Sequence, residues 1–311
     1  MGWSASTCAD GRAPTRRLRV ILFRAAYNLP VTLGLARGLF ARHGLDLDVT
    51  YTRGSQMVSA GLRAGEYDVG VLAADDVIHE VEAHATDLFM FMGLHGGLLT
   101  LMARPDIRTA RDVAGRRLGV DDPASGYALV AHRLLEDAGV PRSAYDTVPA
   151  GGHEHRARAL LDGVVDLALL TPPFTGEAVA RGFTVLARAR EHLAAYQASA
   201  GVTTRRWARD HGPALRAYVR GYRDGLAYAL SPDHRADAVG HLAREFTLSA
   251  GSAAATYEAL VDRADGLFAD ARVDLAGVQT ALDLRVAAGL LSPGPRLLTR
   301  YYDGAYLDEG A

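Results

Sequence analysis

A chain of 311 residues, 49% hydrophobic and 23% charged, is long enough to bury two ordinary α/β cores. Its formal charge of -2 and the even spread of its 34 basic residues leave no basic patch for nucleic acid or for an anionic membrane. None of the 34 is lysine, which excludes lysine Schiff-base chemistry.

Met1 to Arg17 (MGWSASTCADGRAPTRR) reads as a disordered polar leader without the apolar core of a secretory signal. The expected location is therefore cytoplasmic, or extracytoplasmic if Met1 is not the native start. Cys8 is the only cysteine, which excludes a disulfide framework and a cysteine-built metal site. Leu18 to Phe23 (LRVILF) has the apolar, β-branched character of a buried parallel strand. A helix over Pro30 to Arg42, a strand over Leu45 to Tyr51, a helix from Ser55 as N-cap to Ala64, and a strand over Asp68 to Leu72 follow. This β-α-β-α-β order implies parallel strands with helical crossovers. The apolar runs Leu88 to Met92 and Leu98 to Ala103 are too short to span a bilayer.

The pattern then repeats: strand Leu118 to Asp121, helix Ser125 to Asp137, strand Thr147 to Ala150, helix His153 to Asp162, strand Asp166 to Leu170. Beyond about residue 200 the spacing of Ala, Leu and Tyr becomes helical, over Pro213 to Leu230, His234 to Phe246, Ser252 to Ala264 and Leu275 to Ala288.

The run PVTLGLARGLFARHGLDLDVTYTRGSQMVSAGLRAGEYDVGV resembles the first lobe of type II periplasmic solute-binding proteins, in the SsuA-like branch that serves sulfonate, nitrate, taurine and thiamine-precursor transporters. RPDIRTARDVAGRRLGVDDPASGYALVAHRLLEDAGV and LLDGVVDLALLTPPFTGEAVARGFTVLA are similar to that family's second lobe, and YYDGAYLD to its closing segment. The resemblance implies an α/β chain of two Rossmann-like lobes with a C-terminal helical return onto the first, and a ligand held between them. The domains then read as leader 1–17, first lobe 18–101, second lobe 102–198 and return 199–311. Two family features are missing: a secretion signal, and the cysteine-rich iron motif of the yeast pyrimidine-precursor synthase. Soluble relatives such as chorismate dehydratase and dihydroxyphthalate decarboxylase use this architecture as enzymes.

Ligands of open α/β sheets sit outside the carboxyl ends of the strands, which selects Arg24, Tyr27, Asn28, Ser55, Gln56, Asp75, Ser125, Gly126, Tyr127, Thr171 and Phe174 for ligand contact. Arg24 follows an apolar strand, where it either seats an anion or pairs with Asp75 or Asp76. The helix start at Ser125-Gly126 offers free N–H groups to a carboxylate or phosphate, and the resemblance implies ligand there too. His153, His95 and Asp76 are the candidates for proton transfer, against a structural role for each, and Asp75 is a candidate helix cap. His153 and His155, two apart, do not share a helix face, and no metal is expected. Tyr196 joins the candidate aromatic lining.

Two functions follow as expectations. The first is a cytosolic enzyme doing cofactor-free lyase chemistry, dehydration or decarboxylation, on a small anionic or cyclic carboxylated substrate. The alternative is an ABC-transporter substrate-binding protein that only binds its small-molecule ligand and engages a permease.

Overall fold

In the computed structural model, which describes residues 15–308, the chain forms two five-stranded sheets flanked by helices. Cys8 and residues 1–14 of the expected leader lie outside the described residues, while Arg16 and Arg17 already belong to β1 (Arg16–Phe23). The LRVILF run lies within β1, and Val20, Ile21 and Leu22 have no exposed surface. Strands β2 (Leu45–Thr52) and β3 (Val69–Ala73) flank β1 in parallel, and β4 (Leu88–His95) is buried along its whole length.

The second sheet holds β5 (Thr100–Ala103), β6 (Arg117–Val120), β7 (Asp146–Pro149), β8 (Leu167–Leu170) and β9 (Thr184–Arg188), in the order β7-β6-β8-β5-β9. β10 (Ser199–Thr204) returns to the first sheet, between β3 and β4 and antiparallel to both, giving the order β2-β1-β3-β10-β4. Each sheet therefore mixes parallel crossovers with one inserted antiparallel strand.

The crossovers of the first sheet are α1 (Leu29–Ala36), α2 (Ser55–Ala64) and α3 (Ala74–His84). Those of the second are α4 (Gly126–Asp137), α5 (His153–Leu161), α6 (Phe174–Ala180) and the short α7 (Ala189–His192). The return consists of α8 (Arg205–Leu230), α9 (Arg235–Phe246), α10 (Ala250–Val261), α11 (Leu275–Ala287) and α12 (Ala305–Asp308). The tail closes on the first sheet as expected: Met90 N–H donates to Tyr301 O at 2.8 Å, and Asp303 N–H donates to Met90 O at 3.0 Å.

Several local readings are corrected. The expected helix 30–42 stops at Ala36, because Gly38 turns left-handed (φ 66°) before a 3-10 turn over Ala41–His43. Gly54, not Ser55, is the N-cap of α2. The helix read from Pro213 begins at Arg205 and kinks at His211, just ahead of a proline that has no N–H to give. The helix read over 252–264 runs Ala250–Val261, capped by Ser249, whose hydroxyl accepts from Ser252 N–H at 3.2 Å.

Candidate functional site

The carboxyl ends of β1 and β3 face the end of β6 and the starts of α4 and α5 across the gap between the sheets. There the chain encloses a cavity of about 20 Å³, room for about one water-sized group. Phe23, Tyr27, Ala73 and Asp76 line it from the first sheet's side, and Asp121, Ser125, Tyr127, His153 and Arg156 from the second. Ser199, at the start of β10, completes the wall and binds the Tyr127 hydroxyl at 2.8 Å.

His153 opens α5 and is locked on both ring nitrogens: Nε2 lies 3.1 Å from Tyr27 Oη and Nδ1 lies 3.1 Å from Thr171 Oγ1. Burial, then Arg156 and His95, push its pKa well below the ordinary imidazole value, so the ring is neutral. A neutral ring held this way donates on one side and accepts on the other. Burial likewise raises the Tyr27 phenol.

Arg156 is one helical turn further along α5, on the same buried face as His153. It is only 2% exposed. Its Nε donates to Leu169 O at 3.1 Å and its Nη1 to Gly151 O at 3.0 Å, while the buried Nη2 has no hydrogen-bond partner. Among the described residues no carboxylate is hydrogen-bonded to this guanidinium. Burial lowers its pKa, and Asp121 is the leading opposing influence.

The cavity thus gathers five of the residues selected from sequence: Tyr27, Asp76, Ser125, Tyr127 and His153. Thr171 stands behind them as a support for His153. Ser125 caps α4, accepting from Ala128 N–H. The open anion seat expected at Gly126 is taken by the protein itself: Gly126 N–H donates to Asp76 Oδ1 at 3.2 Å. Burial, followed by Asp75 and Asp121, raises the Asp76 carboxyl well above its usual range.

Other selected residues lie elsewhere. Arg24 does not pair with Asp75 or Asp76; it is part-exposed, donates to Glu245 O at 2.7 Å and faces Glu154 at 3.8 Å. Asp75 is not a cap but a buried ion pair with Arg285 on α11 at 2.6 Å. The Asn28 amide braces the chain by donating to Phe23 O at 2.7 Å. Ser55 and Gln56 clasp the opposite lobe at the rim, through Ser55 N–H to Asp121 Oδ2 (2.9 Å) and Gln56 Nε2 to Asp122 Oδ2 (2.7 Å). Phe174 packs edge-on against Phe246. Tyr196 is buried away from the cavity wall, with its hydroxyl unpartnered. His95 is fully buried, stacks obliquely on Tyr27 at 4.6 Å and leaves both nitrogens unpartnered. Burial depresses its pKa to about 3, and it does not line the cavity.

The sequence reading missed Arg156, Ser199 and Arg285. Only Arg156 carried a signal, an arginine one turn after a candidate site histidine on the same helix face.

Comparison with known proteins adds the family. A family model described as NMT1/THI5 like matches residues 26–236. No curated protein matches. Among solved structures, a protein from Bordetella bronchiseptica RB50 superposes with a TM-score of 0.80 at 16% identity, covering 94% of this chain and 95% of its own. The alkanesulfonate-binding protein SsuA from Xanthomonas axonopodis pv. citri, bound to MOPS, gives 0.76 at 19%, covering 94% and 100%. The periplasmic nitrate-binding protein NrtA from Synechocystis PCC 6803 gives 0.76 at 11%, covering 90% and 83%. At these identities the likeness establishes the fold, that of type II periplasmic-binding proteins.

These findings overturn the expectation of a cytosolic lyase, because the similar structures include an alkanesulfonate-binding and a nitrate-binding protein. In the site, His95 does not line the cavity, His153 sits between two hydroxyl partners, and Asp76 is tied to a backbone N–H. A cytoplasmic location gains no support either; what the structure gives is that no described helix is long and apolar enough to cross a membrane. With its match running through most of the first sheet, all of the second and into α9, the chain belongs to the NMT1/THI5-like family.

Proposed function

We propose that this chain is the extracytoplasmic solute receptor of an ABC import system, closing on a small anionic solute seated on Arg156. The lobes would be 18–101 with the return 199–311, and 102–198, and the closed pair would present the complex to a permease. The observation that carries this reading is the buried guanidinium with one nitrogen unpartnered, facing the interlobe cavity. A desolvated guanidinium with one nitrogen unpartnered and no carboxylate hydrogen-bonded to it is costly, and an oxyanion supplies an acceptor and a charge together. The alkanesulfonate-binding and nitrate-binding neighbours make the same class of ligand a consistent choice. The rim contacts from Ser55, Gln56 and Arg53 to the second lobe form the closed state, since Gly152 N–H donates to Arg53 O at 2.7 Å. A cavity with room for about one water-sized group demands that the lobes part for entry and close less fully around a bound solute.

Calorimetric titration with nitrate, methanesulfonate and acetate tests the reading. Arg156→Gln is expected to weaken the tightest of them by about 10²-fold. Unchanged affinity in that variant would remove Arg156 from recognition and overturn the proposal.

A further inference from the structure

Closing the lobes gathers carboxylates that an open cleft keeps apart. Asp76 comes from the first turn of α3 in the first lobe, Asp121 follows β6 in the second, and both line the cavity. Each accepts a backbone N–H of the opposite lobe, Asp76 Oδ1 from Gly126 at 3.2 Å and Asp121 Oδ2 from Ser55 at 2.9 Å. The groups around Asp76 leave its charge unanswered. On α3, Asp75 is taken by Arg285 of α11 at 2.6 Å, and Glu80 lies 3.5 Å from Arg63 of α2 and 3.4 Å from His84. Burial, then Arg285, lowers the pKa of His79, so that ring is neutral. From the second lobe, Asp122 accepts from Gln56 and from Ala124 N–H, Arg156 donates to carbonyl oxygens, and His153 is neutral. Burial raises the phenols of Tyr27, Tyr127 and Tyr196, which stay uncharged. Among the described residues no arginine or histidine forms an ion pair with Asp76 or Asp121.

Two carboxylates on the wall of a cavity with room for about one water-sized group repel with little screening, and a proton on one of them removes the repulsion. Burial, Asp75 and Asp121 all favour the proton on Asp76. A neutral carboxyl still accepts the Gly126 N–H on one oxygen and donates from the other, which gives an oxyanion on Arg156 a further donor. Resting on the receptor reading above, we propose that closure on the solute is proton-linked: Asp76 is ionised while the lobes are apart, takes up one proton as they close, and holds it while the solute is bound. Uptake on binding makes affinity rise as pH falls, by up to about tenfold per pH unit. A histidine that loses its charge on closure releases a proton instead, so the sign separates Asp76 from His153.

Calorimetry with the tightest-binding of nitrate, methanesulfonate and acetate tests it, run from about pH 6 to about pH 8 in imidazole, Bis-Tris and Tris buffers. These carry no sulfonate and differ in ionisation heat, so the heats count the protons exchanged. Uptake approaching about one proton per solute is expected at the acid end of that range, with affinity falling as pH rises. Asp76→Asn is expected to abolish the uptake and flatten the pH dependence. Asp121→Asn, which removes the neighbouring charge, is expected to move that dependence to lower pH. Binding without proton uptake, or with proton release, overturns the linkage and leaves the receptor reading standing. Uptake and pH dependence unchanged in both variants overturn the assignment to Asp76, and binding by none of the three anions overturns both proposals.

Discussion

Asp75 and Arg285 show what a buried charge costs in this protein. The pair is almost without exposed surface, and Arg285 also reaches Ala124 O in the second lobe, at 3.3 Å from Nη2. Removing one partner strands the other, so Arg285→Ala is expected to lower the unfolding free energy by about 3–5 kcal/mol in urea denaturation. The double change Asp75→Leu with Arg285→Met is expected to lose much less, and an equal loss would show that the pair is not what stabilises the site. Burial raises the Asp75 carboxyl to about 6, with Arg285 opposing. Its folded pKa thus lies above the unfolded one, so protonation favours the folded state. Its cost is present in full above about pH 6 and fades as pH falls toward about 4. Asp75→Asn is expected to flatten that part of the stability profile. Searching strand ends in the sequence found Tyr27, Ser125, Tyr127 and His153, because such positions are fixed by topology. It missed Arg156, whose place depends on which face of α5 is buried, and Arg285, which meets Asp75 across 210 residues of chain.

Gly225 does comparable work at the scale of elements. It lets α8 lie against α1, and a Cβ there would sit 2.1 Å from Pro30 O, a backbone atom that cannot rotate away. Alanine is the better helix former by about 1 kcal/mol, yet Gly225→Ala is expected to destabilise by about 1–3 kcal/mol through this overlap. A stabilised variant in thermal or chemical denaturation would contradict the packing described. The alternating and apolar strands of both halves were legible because burial on two faces leaves a continuous hydrophobic run. β10 was not legible. Its SAGVTT is small and polar, and it is buried only because β3 and β4 close on both of its edges. Such pairing is long-range information that local periodicity does not carry.

At the scale of the whole molecule, three of the described histidines are buried, His95, His132 and His153. Burial pushes the first two to about 3 and the third well below its usual value. Folded pKa values below the unfolded ~6.5 mean that their contribution is complete above that pH and is lost as pH falls beneath it, about 1.4 kcal/mol per pH unit for each proton. The imidazole resonances of these three are therefore expected to stay flat in an NMR titration from about pH 8 to about pH 5. An inflection near the ordinary value at any of them would contradict its burial. The two-lobed architecture was the most legible feature of all, since the β-α-β order and the family resemblance pointed the same way. The enzymatic reading was overturned by the comparisons, and proximity to strand ends did not say that His95 faces the core while His153 lines the cavity. The most direct test of the receptor account is a crystal structure of the protein with its tightest-binding anion. The account places an oxyanion of that ligand within hydrogen-bonding distance of Arg156 Nη2, between the two sheets. A ligand bound elsewhere, with Nη2 still unpartnered, would contradict it.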